Sequence, residues 1–463
     1  MLIRSMNSEL TSTDEPPFPS HGTLGVCSWL LGHLALGVLI SLDGRLATLH
    51  GALLVVSVAG LIIYNRSAVL SVAAIAYVAS FDVIWRMSGA AMPWEAGKYC
   101  VLIFSILLAF RSGKIGRTLV PFLYVAVIVL SVPLALTTVE APGFKFFGTI
   151  RFNMIGPLSL CACAIAFGGQ VISSRSLNYI LLTMIGPVLV VSGVVFVGVL
   201  TGPEIRFISE SNFDMSGGFG PNQVASSLGL GALIALILFQ INCVSRGAEF
   251  ALLSVFFVLV TQTILTFSRG GIYLAAISGF VSVALLALNP VYLIRSVLVG
   301  FVGLLVSMFF LVPFLMSFTD GMVSVRFGDS TPATRVDVVR NELSVFVEHP
   351  FFGVGVGASR YLGENANFVQ MNHTEYIRVI IEHGLVGFVI FTLVLGRAVV
   401  KSILVGELVS RAILLALVTW SLFYFLIYGF RTAIPAVLIA LGYLSVRGPY
   451  VAMGQSLGTT NIK

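Results

Sequence analysis

Apolar runs of roughly twenty residues recur from one end of the chain to the other, the length a helix needs to cross a hydrocarbon core of about 30 Å. Spans are expected near 24–41, 46–64, 68–84, 96–110, 118–138, 154–172, 178–200, 222–241, 250–267, 271–289, 293–317, 375–396, 412–428 and 432–446. Barrel strands would alternate polar and apolar residues with a period of two, and a run such as ALLSVFFVLV (251–260) does not. With 57% hydrophobic and 10% charged residues and a mean hydropathy of +1.02, a 463-residue chain cannot hide its apolar surface in a soluble core. The expected fold class is therefore an all-α polytopic membrane protein with about 12–14 transmembrane helices and one long polar loop. The expected division is a cytoplasmic tail 1–23, a helical membrane region 24–317, a loop 318–373 with an amphipathic helix, C-terminal membrane helices 374–447 and a cytoplasmic tail 448–463.

Residues 1–23 are polar and contain prolines and acids (Glu9, Asp14, Glu15), unlike a cleavable signal peptide, so the first span is expected to stay as an anchor. Cys27, Cys100, Cys161, Cys163 and Cys243 all fall in or beside apolar spans and read as small packing residues. The net charge of +6 serves best for orientation. With the N-terminus inside, Arg66, Arg111, Lys114, Arg117, Arg175, Arg246, Arg295, Arg397, Lys401, Arg411 and Arg447 lie on inner loops, and the long loop lies outside. These inner basic residues are scattered singly, which argues against a nucleic acid partner. Trp85 and Trp94 bracket an outer loop and read as interfacial belt residues.

Outer segments grow more polar along the chain. PGFKFFGTIRFN (142–153) leads into the sixth span, and GGFGPNQVA (217–225) makes a turn before a helix that starts at Pro221, Asn222 and Gln223. Ser268-Arg269-Gly270-Gly271 breaks the chain between two spans. In the long loop, Thr331-Pro332 reads as a helix start. Val336, Val339, Leu343 and Phe346 then recur at helical spacing, so 332–348 is an expected amphipathic helix that Pro350 ends. Gly353, Gly355 and Gly357 follow as a turn where backbone can come close to another segment.

Charges at the lip of a span usually face a cavity or a partner, because burying them in lipid costs at least a few kcal/mol. Glu375, Arg378 and Glu382 have that placement, and their spacing also permits ion pairing of Glu375 with Arg378 or of Arg378 with Glu382. Arg269 has no acid near it in sequence and suits an anion. Outer arginines Arg151, Arg206, Arg269 and Arg335 beside a membrane point to a diphosphate, since a guanidinium pairs with phosphate oxygens two at a time and stays charged. His373 stands at the junction of loop and span, where an imidazole can take a proton from a hydroxyl; a capping or packing role is the plainer alternative. No HExxH, DxD or GxxxxGK[ST] pattern occurs, so the sequence offers neither a metal nor a nucleotide motif, and no cofactor is expected.

Taken together, GGFGPNQVA (217–225), Ser268-Arg269-Gly270, Arg335 followed by HPFFGVGVG (349–357), and NHTEYIRVIIEHGLVG (372–387) resemble the O-antigen ligase and polymerase superfamily. The resemblance covers mainly residues 200–395. It implies a GT-C-like glycosyltransferase of the bacterial inner membrane that acts, facing the periplasm, on glycans carried by undecaprenyl diphosphate. It further implies that His373 lies at the reaction centre with Glu375 beside it. Arg269 and Arg335 would serve the diphosphate, with Arg206 and Arg151 in support. Asn222, Asn372, Arg378 and Glu382 would line the acceptor or glycan site. Two features depart from the family pattern: Thr374 follows the histidine where Asn is common, and Val338 stands where an aromatic residue often follows the loop arginine.

The implied reaction is metal-independent and inverting, with a lipid-linked donor and either a second glycan or lipid A core as acceptor. Polymerisation of an exopolysaccharide or O-antigen is favoured over ligation to lipid A core, with a chain-length regulator protein as a further partner. A polysaccharide or lipid-glycan transporter is the alternative from another class. It would spread charges through the middle of the membrane, whereas here they gather towards one side.

Overall fold

The computed structural model describes residues 22–113, 115, 119–139, 143–202, 205–328, 343–362 and 374–448. They form α1 (Thr23–Leu42), α2 (Gly44–Tyr64), α3 (Ala68–Met87), α4 (Ala96–Ser112), α5 (Val120–Thr138), α6 (Phe144–Gly168) and α7 (Ser174–Thr201). These are followed by α8 (Pro221–Gln240), α9 (Arg246–Leu265), α10 (Arg269–Leu286), α11 (Pro290–Phe318, with a π turn at Ser307–Leu311), α12 (Glu375–Ile403), α13 (Leu408–Ile427) and α14 (Ile434–Leu441). Each of the fourteen expected spans falls on one of these helices. Twelve helices among the described residues have at least 18 residues and are apolar enough to cross a membrane. The other two are shorter: α4 has 17 residues and α14 has 8.

The helix starts follow local chemistry. Asp43, Ser67 and Asn289 accept hydrogen bonds from backbone N–H groups of the first turns of α2, α3 and α11, at 2.8, 3.3 and 3.0 Å. Pro221 and Pro290 occupy first-turn positions, where the missing N–H costs nothing. At the centre stands α7, buried at nearly every residue from Ser174 to Val195 between α1, α3 and α8. Around it, α13 packs on α10, α12 and α14, while no residue of Pro290–Val306 in α11 is buried. At one end of the bundle two short parallel strands, Val171–Ser173 and Ser445–Arg447, clasp the α6–α7 junction to the chain after α14.

Three expectations are corrected. Trp85 is not a belt residue but lies in the core at 2% exposure, while Trp94 is exposed. The break near Arg269 falls earlier than expected, on residues 266–268, with Arg269 already in α10; Phe267 turns the chain there at φ 55°. Within the long loop, 331–342 lie outside the described residues, and of the expected amphipathic helix only 343–348 are described. There Phe346 of the expected face packs partly buried on an apolar cluster, while Val345 is buried and Leu343 is exposed, so the buried side is rotated towards Val345. It packs with Ala135, Phe146, Val354, Val356 and Ile381 in a small apolar cluster between α5, α6 and α12.

The glycine-rich turn has a defined task. α12 is broken at Gly384, whose φ of 61° and ψ of −167° no helix accommodates. In an unbroken helix Leu385 N–H would bond Ile381 O, and Val386 N–H would bond Glu382 O. Here all four groups pair with the loop: Val354 N–H to Ile381 O (3.0 Å), Gly355 N–H to Glu382 O (2.9 Å), Leu385 N–H to Pro350 O (2.8 Å) and Val386 N–H to Phe351 O (3.2 Å). Gly355 has φ 91°, and a Cβ there would sit 2.2 Å from the backbone nitrogen of Ala135. Gly355→Ala should therefore lower stability by more than the ~1–3 kcal/mol of a strained backbone alone. Gly396→Ala, in α12 with nothing within 4 Å, should leave stability unchanged or raise it. Thermal unfolding midpoints of the two variants in detergent check the contrast.

Candidate functional site

The first turns of α12 put Glu375, Arg378 and Glu382 on one helix face, at spacings of three and four residues. Arg378 lies between the two carboxylates. Its Nη2 pairs with Glu375 Oε1, its Nε reaches Glu375 Oε2 at 3.2 Å, and its Nη1 lies 3.5 Å from Glu382 Oε2. Nη1 also donates to the carbonyl of Asn153 at 3.2 Å. The side chains are 2% (Glu375), 11% (Arg378) and 1% (Glu382) exposed, so both ion pairs form together rather than as alternatives. Glu382 Oε1 accepts from Asn153 Nδ2 and from Ser359 Oγ, each at 3.2 Å. The cluster thus joins α12 to α6 and to the segment after the glycine turn.

The chain between α13 and α14 closes the site. Phe430 N–H donates to Glu375 Oε2 at 3.3 Å, and Ala433 N–H donates to Asp82 Oδ2 of α3 at 3.0 Å. Arg86 pairs with Asp82 and donates to the carbonyl of Arg431 at 2.9 Å. A small cleft of about 50 Å³ opens here, lined by Asn153, Ser359, Arg360, Arg378, Tyr428 and Arg431 among others. Beside it, Phe152 stands between Lys98 and Arg360, whose cationic groups lie 5.0 and 6.0 Å from its ring centre. Lys98 pairs with Glu95, whose carboxyl burial pushes above its ordinary range against the pull of that lysine.

Two expected residues extend the network. Tyr428 Oη lies 3.2 Å from Ser268 Oγ, and Ser268 Oγ donates to Asn222 Oδ1 at 2.8 Å. Next to Ser268, Arg269 Nε donates to the carbonyl of Arg326 at 3.0 Å, and Arg326 answers with bonds to the carbonyls of Phe267 (2.9 Å) and Ser209 (2.8 Å). The sequence treated Arg269 as lacking a partner; the structure gives it one from the short helix Met322–Gly328. Arg151 and Arg206 are exposed, and neither lines the cleft. His373, Asn372 and Arg335 lie outside the described residues.

Sequence reasoning did not select Asp82, Arg86, Lys98, Asn153, Arg326, Ser359, Arg360, Tyr428 or Arg431 for the site. One signal was available: Asp82 and Arg86 stand four residues apart at the end of an apolar span, where a charge is costly unless paired. Chemically, the site offers fixed positive charge, fixed carboxylates and a tyrosine at one end of the bundle.

Residues 250–392 match the family model described as O-Antigen ligase. That stretch runs from α9 through the long loop to the middle of α12 and contains Arg269, Ser359, Glu375, Arg378 and Glu382. No curated protein matches the chain.

Removing the central cation tests the cluster. Arg378→Met should destabilise the protein by roughly 3–5 kcal/mol, because two carboxylates stay buried without their counter-charge. Adding Glu375→Gln and Glu382→Gln to that variant should recover part of the loss. Arg151→Ala should change stability by less than about 0.5 kcal/mol. Unfolding midpoints of the purified variants give the comparison.

Proposed function

We propose that this chain, a multi-pass membrane protein of the O-antigen ligase and polymerase superfamily, transfers a glycan from undecaprenyl diphosphate to an acceptor hydroxyl at the periplasmic face of the bacterial inner membrane. Glycan transfer of the ligase or polymerase type follows from the matched domain. Of the two, polymerisation of exopolysaccharide or O-antigen repeat units is the reading advanced here. The observation that carries the site is the buried Glu375–Arg378–Glu382 cluster, tied to α6, to the loop and to the α13–α14 connection at the same end of the bundle as Arg269 and Asn222.

In this mechanism the donor's diphosphate lies against Arg269 and Arg335, with Arg206 and Arg151 as outer supports. Guanidinium charge stabilises the oxygens of the departing lipid diphosphate as the glycosidic bond breaks. That leaving group needs no further activation, so the reaction proceeds without metal or nucleotide. His373 takes the proton of the acceptor hydroxyl, whose oxygen attacks the anomeric carbon from the opposite side and inverts it. Glu375 stands two residues from His373 in sequence and is bonded to Arg378 and to Phe430 N–H, which supports giving it the task of orienting the imidazole. Asn222, Asn372, Arg378 and Glu382 line the side taken by the acceptor glycan. A chain-length regulator protein is the partner that would set product size.

The family description favours one second reading, transfer of the finished glycan to lipid A core. Reconstitution in liposomes with purified lipid-linked glycan, with and without lipid A core, separates the two. A ladder of longer lipid-linked products without lipid A supports the polymerase, whereas product only on lipid A replaces it with the ligase. His373→Ala should reduce transfer by at least ~10²-fold, the contribution expected of a general base, while the protein stays in the membrane. Full activity in that variant would remove the histidine from the mechanism.

A further inference from the structure

The α3–α4 connection holds a second cavity at the same end of the bundle, about 130 Å³ in volume and lined by Asp82, Trp85, Arg86, Met92 and Trp94 among others. We propose that it is a sugar-binding subsite, which holds a ring of the glycan one or more units away from the reacting one. The inference rests on the glycan-transfer reading above and adds a site in the part of the chain that the matched domain leaves out.

Trp94 is 56% exposed, yet its ring is held rather than loose: it packs on Phe219 with centroids 6.0 Å apart, and the Arg86 guanidinium carbon lies 5.6 Å from its centre. A pyranose has one flat face of C–H groups and a rim of hydroxyls. A fixed, accessible indole face suits the first, and buried polar groups behind it suit the second. Those groups are present. Asp82 and Arg86 line the cavity as a buried pair, with Trp85 in the wall beside them.

Asp82 and Arg86 hold Ala433 N–H and Arg431 O, so the α13–α14 connection is bonded to two residues that line this cavity. Tyr428, Gly429, Phe430 and Arg431 of the same connection line the cleft beside Arg378. A glycan that reaches from one to the other passes over a single backbone segment, a geometry suited to reading the sugar next to the bond being made.

The test uses the full chain in liposomes with its lipid-linked repeat unit, following initial rates against substrate concentration. Trp94→Ala and Trp94→Met, which remove the flat ring from an exposed position, should raise KM at least tenfold while kcat stays within twofold. Trp94→Phe, which restores a flat ring, should bring KM back to within threefold of the wild type. The oligosaccharide released from the lipid by mild acid should change the tryptophan emission of the wild type, and that change should be smaller in Trp94→Phe, where Trp85 is the remaining indole of the cavity. Should KM stay within twofold in both ring-less variants, Trp94 is an interfacial anchor and the subsite is overturned, with the transfer reading intact. No transfer by the wild type would overturn both.

Discussion

A helix inside a membrane has no water to satisfy its backbone, so a break in it must be paired from elsewhere in the protein. The break in α12 at Gly384 is paired by the backbone of residues 350–355, which takes up the groups that a continuous helix would have bonded internally. Much else in the structure follows from that exchange. It draws the end of the long loop down between α5, α6 and α12, buries Val354 and Val356, and delivers Ser359 to the carboxylate of Glu382. Residues 350–355 and α12 are thereby joined backbone to backbone, which mounts the polar side chains at the start of the helix.

The charges on that mount obey a second constraint. Asp82 with Arg86, Glu95 with Lys98, and Arg378 with its two glutamates are all paired within one or two helical turns. The first two pairs match one cation with one acid, and Arg378 is shared by two acids, all within the same helix or its first turn. Tertiary structure then connects the groups through neutral donors: Ala433 N–H to Asp82, Phe430 N–H to Glu375, and the Asn153 amide to Glu382. Buried ion pairs seldom add net stability, because desolvation offsets their attraction. Their concentration at one end of an otherwise apolar bundle fits a surface that handles a charged, hydroxylated substrate better than it fits a stability device.

Local features of the sequence were legible and tertiary ones were not. Apolar length alone located the helices, and the spacing of Glu375, Arg378 and Glu382 announced their pairing. Gly353, Gly355 and Gly357 announced a close approach, but not that its target was the broken turn at Gly384. Trp85 read as an interfacial residue because a tryptophan near a span end usually is one; only the packing of α3 against its neighbours puts it inside. Asn153 and Tyr428 left no mark, since a single amide in an apolar helix, or a phenol just past the end of one, acquires meaning only from residues more than a hundred positions away. The rotation of the helix at 343–348 has the same origin, for the apolar cluster that decides its buried side comes from α5, α6 and α12.

The geometry also divides labour within the proposed reaction. Both oxygens of Glu375 are engaged, one with Arg378 Nη2 and the other with Arg378 Nε and Phe430 N–H. Both oxygens of Glu382 are engaged too, by Asn153 and Ser359 on one side and by Arg378 on the other. The acceptors of the cluster are thus turned to protein groups of α6, of α12, of the segment after the glycine turn and of the α13–α14 connection. The cluster therefore suits holding and orienting rather than proton transfer. In the proposed reaction proton transfer is assigned to His373, which in sequence comes immediately before the N-cap of α12.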